Sequence, residues 1–294
     1  MQIKTINAVI SKKFEEWVGT ITDQGVKGLV RENTILTGGA ICSMLKSELV
    51  NDFDFYFKNK ETAIAVARYY VGLFQAEARE KGGTQRSVDV VVDNDRVSIK
   101  VTSAGVVGNA CEGQADLSGN DTGEEPVHAV EEDKDKPKYR PVFLSSNAIT
   151  LSHGVQLVIR FYGSPSEIHE NYDYVHCTNY WTSWENKVVT NKEALESILT
   201  MQLVYVGSKY PLASLIRMRK FIGRGWKINA GQVLKMAFQV SQLNLSDIPT
   251  LEDQLTGVDT TYFKVLIDAL REVQEKDPTR INSSYIGEII NRMF

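Results

Sequence analysis

Two aspartates separated by one residue are the side chains of this chain best suited to chemistry. Asp52 and Asp54 lie in the segment Asn-Asp-Phe-Asp-Phe-Tyr-Phe, which predicts a β-strand. Residues i and i+2 of a strand point to the same side, so the two carboxylates would lie side by side while Phe53 and Phe55 enter the core. Adjacent carboxylates repel each other unless a cation lies between them. The pair therefore predicts a site for a divalent metal ion.

The segment before this pair predicts a place for a phosphate group. An apolar strand at residues 34–37 runs into Gly38 and Gly39, and a short helix follows. Glycines let the backbone come close to a ligand, and the positive end of the helix dipole would point at the same place. Ser43, in this helix, is a further candidate for phosphate contact. A nucleoside triphosphate bridged by Mg²⁺ suits both halves of the segment, although an Asp-x-Asp strand with a solvated face is the alternative.

This order of Gly-Gly turn, helix and Asp-x-Asp strand resembles the nucleotidyltransferase superfamily, which includes DNA polymerase beta, poly(A) polymerases, CCA-adding enzymes and toxin-type transferases. The resemblance covers about residues 30–180. It implies an α+β fold, in which a mixed sheet with flanking helices is followed by a helical domain. It also implies that Asp52 and Asp54 are catalytic and bind two Mg²⁺ ions, or Mn²⁺ in their place, about 3.5 to 4 Å apart.

The family uses a third acidic residue on a later strand, and two positions compete for that role. Asp89 lies in Ser-Val-Asp-Val-Val-Val, soon after a helix that begins near Glu61. Asp173 lies in Asn-Tyr-Asp-Tyr-Val, after a Gln-bearing strand and a short helix. The same order recurs in viral and ankyrin-linked relatives. The resemblance favours Asp173 as the third catalytic and metal-binding carboxylate, and Asp89 stays open.

The densest positive charge lies between Arg217 and Lys227, interleaved with Phe221 and Trp226. This segment resembles the Arg-rich helix that follows the catalytic domain of CCA-adding and poly(A) polymerase enzymes. The resemblance implies that Arg217 and Lys220 bind the incoming nucleotide. The alternative is a solvated basic helix face with the two aromatic rings packed beneath it.

Composition limits the function classes. The net charge of −4 excludes a globally basic nucleic-acid binder but leaves room for a local patch. The three cysteines are far apart, which argues against a disulfide framework and a structural zinc site. We expect a cytoplasmic protein with no membrane partner, because the sequence shows neither a bilayer-spanning apolar run nor the layout of a signal peptide.

The 294 residues are enough for two domains. We predict a catalytic domain at residues 1–185 and a helical domain at 186–294, because helical spacing of apolar residues prevails after Trp181. An inserted acidic, glycine-rich loop is predicted at about 105–141. Its acidity would either repel a nucleic-acid backbone or merely solvate the loop.

These features predict a metal-dependent nucleotidyltransferase that moves a nucleoside monophosphate from a nucleoside triphosphate to a hydroxyl acceptor, with RNA or tRNA as the expected partner. Bacterial CCA-adding enzymes follow the Gly-Gly turn with valine, arginine and aspartate, whereas this chain has Ala40-Ile41-Cys42-Ser43. That departure argues against tRNA end repair. Two other classes remain open, namely an inactive binding or assembly protein and a toxin-like enzyme that modifies a protein side chain.

Overall fold

A computed structural model describes residues 1–80, 87–93, 96–102, 137–255, 261–277 and 280–293. They fall into two compact units. Unit 1 holds the described residues within 1–102, 137–172 and 176–199, and unit 2 holds those within 173–175 and 200–293. Most of the acidic loop predicted at about 105–141 lies outside the described residues.

The described strands all belong to unit 1. They are β1 (Thr34–Thr37), β2 (Phe53–Phe57), β3 (Ser87–Asp93), β4 (Arg96–Thr102), β5 (Pro141–Leu144), β6 (Ala148–Leu151), β7 (Val155–Tyr162), β8 (Tyr180–Thr182) and β9 (Lys187–Val189). Seven of them form one mixed sheet in the order β5, β6, β7, β2, β1, β8, β9. Every neighbouring pair in it is antiparallel except β2 and β7, which are parallel. Strands β3 and β4 form a separate antiparallel pair.

The helices flank this sheet in unit 1 and make up most of unit 2. Those before residue 201 are α1 (Ile3–Thr20), α2 (Gln24–Asn33), α3 (Gly39–Lys46), α4 (Lys60–Glu80), α5 (Pro165–His169) and α6 (Lys192–Thr200). Those after it are α7 (Pro211–Gly223), α8 (Ala230–Ser241), α9 (Ile248–Gln254), α10 (Thr261–Lys276) and α11 (Ser283–Met293). None of the described helices combines the length and the apolar character that crossing a membrane requires.

The main core of unit 1 lies on one face of the sheet. Helix α1 places Ile10, Phe14 and Trp17 at intervals of three and four residues, so that one stripe of the helix is buried. The ring of Trp17 stacks on that of Phe55 in β2, with centroids 4.9 Å apart. Alternation along β2 turns Tyr56 to the opposite face, where it packs with a smaller apolar cluster. Strand β2 is therefore buried on both of its faces.

Unit 2 has its own apolar core. It is built from residues of α9, α10 and α11, including Leu251, Leu266 and Leu270. Helix α7 begins with Pro211 at its first position, where the missing N–H costs nothing. The fold class predicted from the sequence, a mixed sheet with flanking helices followed by a helical region, is confirmed. The predicted domain limits of 1–185 and 186–294 stay a prediction, because compactness alone does not define a domain boundary.

Candidate functional site

The Gly-Gly segment forms a sharp turn between β1 and α3. Gly38 has a φ of 102°, a conformation that glycine adopts easily and L-residues rarely adopt. Its backbone N–H donates to the carbonyl oxygen of Cys177 at 3.1 Å, which ties the turn to a later part of unit 1. The order of strand, Gly-Gly turn, helix and aspartate-bearing strand that underlies the family resemblance is thus confirmed.

The turn adjoins the second aspartate of the Asp-x-Asp pair. A Cβ atom built on Gly38 would lie 3.3 Å from Oδ2 of Asp54 and 3.4 Å from the hydroxyl oxygen of Tyr172. Three residues from distant parts of the sequence therefore meet at one point. A ligand atom that reached the backbone at Gly38 would contact both side chains.

Strand β2 fixes the direction of the Asp54 side chain. Phe53 and Phe55, on either side of it, are both buried in the main core, as the sequence predicted. Asp54 therefore projects from the other face of the sheet and is half-buried. Asp52 lies one residue before the start of β2 and is also half-buried. Strand β2 thus places the Asp54 carboxylate at the Gly-Gly turn, whereas a role of Asp52 at the turn stays a prediction.

The donor chemistry of this pair suits a hard divalent cation. Carboxylate oxygens are the ligands that Mg²⁺ prefers, and Mg²⁺ is usually held by one or two carboxylates together with substrate phosphates and water. Among the residues that the structure describes, no group of three or more His, Cys, Asp or Glu side chains could hold a metal ion. A divalent cation at this place would therefore take two carboxylates as protein ligands, and a phosphate ligand would complete its coordination.

The Tyr172 hydroxyl is the other side-chain group at the turn. Its oxygen is buried and has no hydrogen-bond partner of acceptable geometry. Burial raises the pKa of Tyr172 well above its usual value, and the nearby Tyr56 hydroxyl and Asp54 carboxylate raise it further. The rings of Tyr56 and Tyr172 lie 6.2 Å apart between centroids. The phenol is therefore protonated and keeps its O–H as a donor.

A second contact holds the end of β1. The Nε2 atom of His169, at the end of α5, hydrogen-bonds the hydroxyl of Thr37 at 2.8 Å. That hydroxyl also lies 3.0 Å from the carbonyl oxygen of Asn179. Burial lowers the pKa of His169 to about 4, so the ring is neutral near pH 7. Because Thr37 directly precedes Gly38, these contacts help to position the turn.

The two candidates for a third carboxylate lie in different surroundings. Asp173 belongs to unit 2, where its Oδ2 accepts a hydrogen bond from Nε of Arg217 at 2.8 Å. The strand predicted at Asp173 is wrong: the residue lies in a bend that precedes the isolated bridge between Tyr174 and Tyr205. Asp89 is exposed on the separate β3–β4 pair, opposite Lys100. Within the described residues, neither Asp173 nor Asp89 belongs to a group of three or more His, Cys, Asp or Glu side chains that could hold a metal ion.

The remaining predicted nucleotide-binding residues lie on two helices. Gly39 is the first residue of α3 and is exposed, and Ser43 is half-buried in the same helix. Arg217 and Lys220 are half-buried residues of α7. The side chain of Arg217 is already engaged by Asp173. Their role in nucleotide binding stays a prediction.

Sequence reasoning missed the contributions of Tyr172, Thr37 and His169 to this site. Tyr172 entered the sequence analysis only as the neighbour of Asp173, and neither Thr37 nor His169 was a candidate. No spacing rule links Thr37 to His169, because their contact joins residues that are remote in sequence. A glycine after an apolar strand is a sequence signal for a close approach of the backbone, but it does not say which side chains meet it.

Comparisons with solved structures return enzymes of the groups that the sequence resemblance names. A tRNA nucleotidyltransferase complexed with a primer tRNA and an incoming ATP analog is 12% identical, with a TM-score of 0.36, and the match covers 84% of this chain and 58% of that one. The Thermotoga maritima CCA-adding enzyme complexed with tRNA is 9% identical, with a TM-score of 0.39, over 91% and 54%. The Bacillus stearothermophilus CCA-adding enzyme in complex with CTP is 10% identical, with a TM-score of 0.37, over 82% and 48%. This chain thus spans about half the length of these enzymes.

A search of curated proteins returns no match. A family model described as Gabija anti-defense 2 family protein matches residues 8–201. That range is about two thirds of the chain and contains β1, the Gly-Gly turn, α3 and β2. The chain therefore belongs to the Gabija anti-defense 2 family.

Proposed function

We propose that this protein is a metal-dependent nucleotidyltransferase and that it opposes the Gabija defense through that activity. It moves a nucleoside monophosphate from a nucleoside triphosphate to a hydroxyl acceptor: the acceptor oxygen bonds to the α-phosphorus, the bond between the α- and β-phosphates breaks, and pyrophosphate leaves. One observation carries the proposal: the Asp54 carboxylate lies at the Gly38 turn. A Cβ atom built on Gly38 would be 3.3 Å from Oδ2 of Asp54. The family description supplies the biological setting.

The residues of the turn would bind the triphosphate. Gly38 leaves the backbone open to a phosphate oxygen, and the first turn of α3 offers backbone N–H groups that no helical carbonyl satisfies. Asp52 and Asp54 would hold the divalent cation, Mg²⁺ or Mn²⁺. When bound, the metal supplies neutralisation of the triphosphate charge and eases deprotonation of the attacking hydroxyl. Ser43, Arg217 and Lys220 are proposed to contribute further contacts to the nucleotide.

Isosteric variants test the role of the carboxylate pair. We expect Asp52→Asn and Asp54→Asn to lower transfer by more than about 100-fold and to abolish relief of Gabija defense. Their thermal stability should equal or exceed that of the wild type, because one of two repelling charges is removed. The matched control is Asp23→Asn at the start of α2, where asparagine caps the helix as well as aspartate does. Full transfer by the Asp54→Asn protein would overturn the proposal.

The identity of the third carboxylate is tested in the same assay. We propose Asp173 for this role, and Asp89 is the competing residue. Asp173→Asn should abolish transfer, whereas Asp89→Asn should leave it intact because Asp89 is exposed on a separate pair of strands. Asparagine at position 173 can still accept the hydrogen bond from Arg217, which limits the loss of stability. The reverse result would assign the role to Asp89.

RNA is the proposed acceptor, and a protein side chain is the alternative. Each of the four nucleoside triphosphates, labelled on the α-phosphate, is incubated with the protein, Mg²⁺ and either total RNA or an extract of cells that carry Gabija. Label on RNA supports the proposed acceptor, and label on a protein supports the alternative. Absence of label in both arms, together with relief of Gabija defense by the Asp54→Asn protein, would show a binding protein without turnover.

A further inference from the structure

The Tyr172 hydroxyl is a buried polar group that the proposed chemistry has not used. Its oxygen has no hydrogen-bond partner of acceptable geometry, although it lies at the Gly38 turn. Leaving a hydroxyl buried without a partner costs about 1 to 3 kcal/mol. A phenylalanine would fill the same space without that cost. The hydroxyl is therefore a costly feature at the point where a ligand would enter.

The Tyr172 hydroxyl and the Asp54 carboxylate line the same side of Gly38. A Cβ atom built on Gly38 would lie 3.4 Å from the Tyr172 oxygen and 3.3 Å from Oδ2 of Asp54. A ligand oxygen that approaches this side of the turn therefore meets one hydroxyl donor and one carboxylate. An oxygen that accepts an O–H hydrogen bond lies at about 2.7 to 2.8 Å from its donor, which is the distance expected between the ligand and Tyr172.

The charges at this point select the class of ligand. Asp54 offers only acceptor oxygens, so an anionic ligand beside it needs both a cation and a donor. Tyr172 is the donor, because its hydroxyl lies on the same side of Gly38 as the carboxylate. A phosphate oxygen meets the requirement, because it bears negative charge, accepts from a hydroxyl and can share a cation with Asp54.

We propose that Tyr172 donates its O–H to a phosphate oxygen of the nucleoside triphosphate at the Gly38 turn. This inference rests on the proposed function and adds a binding residue to it. Tyr172 acts in binding, and the bond-making step is left to the carboxylates.

The test compares two deletions of a single hydroxyl. Tyr172→Phe removes the proposed donor, and Tyr180→Phe is the matched control, because Tyr180 packs in the same small apolar cluster on that face of the sheet. The affinity of the full-length protein for inorganic tripolyphosphate and for each nucleoside triphosphate is measured by titration calorimetry in Ca²⁺. Thermal melting without ligand is recorded for every variant.

We expect Tyr172→Phe to bind both probes about tenfold more weakly, while Tyr180→Phe binds as the wild type does. The ligand-free Tyr172→Phe protein should melt at the same temperature as the wild type or higher, because an unpartnered buried hydroxyl is removed. Equal binding by Tyr172→Phe, with binding lost in Asp54→Asn, would overturn the inference and leave the proposed function standing. A fall in melting temperature that matches the loss of affinity would show a structural role and would also overturn it. A wild-type protein that binds neither probe would overturn both proposals.

Discussion

Nε of Arg217 lies 2.8 Å from Oδ2 of Asp173, and the aspartate side chain in this ion pair is only 15% exposed. Removing the guanidinium would leave a largely buried carboxylate without its counter-charge. We expect Arg217→Met to lower the free energy of unfolding by about 1 to 2 kcal/mol, less than for a fully buried pair because Arg217 is partly exposed. Urea unfolding measures this change.

The double variant Arg217→Met with Asp173→Asn gives the control for that prediction. Because no uncompensated charge remains in it, its stability should exceed the value expected from adding the two single losses. If the two losses were strictly additive, the ion pair would contribute nothing to the free energy of unfolding.

Gly38 and Gly39 should respond differently to the same substitution. Gly38→Ala forces an L-residue into a φ of 102° and places its Cβ 3.3 Å from Asp54. We expect a loss of about 1 to 3 kcal/mol in the free energy of unfolding, with weaker nucleotide binding. Gly39→Ala meets no atom within 4 Å and lies at the start of a helix, so stability should be unchanged or slightly higher. Thermal melting of the two variants provides the comparison, and equal melting temperatures would contradict the strain argument.

His169 should make stability depend on pH in the acid range. Burial lowers its pKa to about 4, whereas a histidine in the unfolded chain titrates near about 6.5. Between these values the unfolded chain takes up the proton first, so this contribution to stability is fully present above pH 6.5 and is lost as pH falls toward 4. Partial exposure of the ring limits the loss to about 2 kcal/mol.

A variant that cannot titrate isolates this contribution. His169→Gln keeps a side chain able to hydrogen-bond Thr37 but carries no titratable ring. Urea unfolding at pH 7.5 and pH 4.5 should show a smaller difference for the variant than for the wild type. If the difference in unfolding free energy between the two pH values is unchanged, groups other than His169 cause the acid sensitivity.

The buried hydrogen bond of the Trp17 indole N–H should contribute measurably to stability. It donates to the Tyr70 hydroxyl at 2.7 Å, and both side chains are almost fully buried. Tyr70→Phe strands the indole N–H, so we expect a loss of about 1 to 3 kcal/mol in the free energy of unfolding. The neighbouring Tyr69→Phe removes a hydroxyl whose contact with Thr22 is exposed, and it should cost much less. Chemical denaturation of both variants tests the prediction, which fails if the two losses are equal.

Local patterns along the sequence predicted the elements of unit 1 that carry the site. The Phe residues that flank Asp54 indicated a strand with one buried face, and they are buried as expected. The helix predicted to begin near Glu61 is α4, which begins at Lys60. These features depend on neighbours within a few residues, which is the range that sequence periodicity reports.

Contacts between remote segments could not be read in the same way. The parallel pairing of β2 with β7 and the approach of Tyr172 to Gly38 join residues that are more than a hundred positions apart. Asp173 was expected on a strand because the resemblance places the third acidic residue of the family on a later strand. Instead, Asp173 lies in a bend and pairs with Arg217 of α7, a contact between residues remote in sequence.

The pairing of β2 has a consequence for how the protein is made. One edge of this strand is covered by β1, which is translated shortly before it, but the other edge pairs with β7, which begins only at Val155. While the ribosome makes the intervening residues, the backbone of the Asp54 strand has an open side able to capture another nascent chain. The candidate site therefore takes shape late in translation, and a product that terminates before Val155 would tend to aggregate.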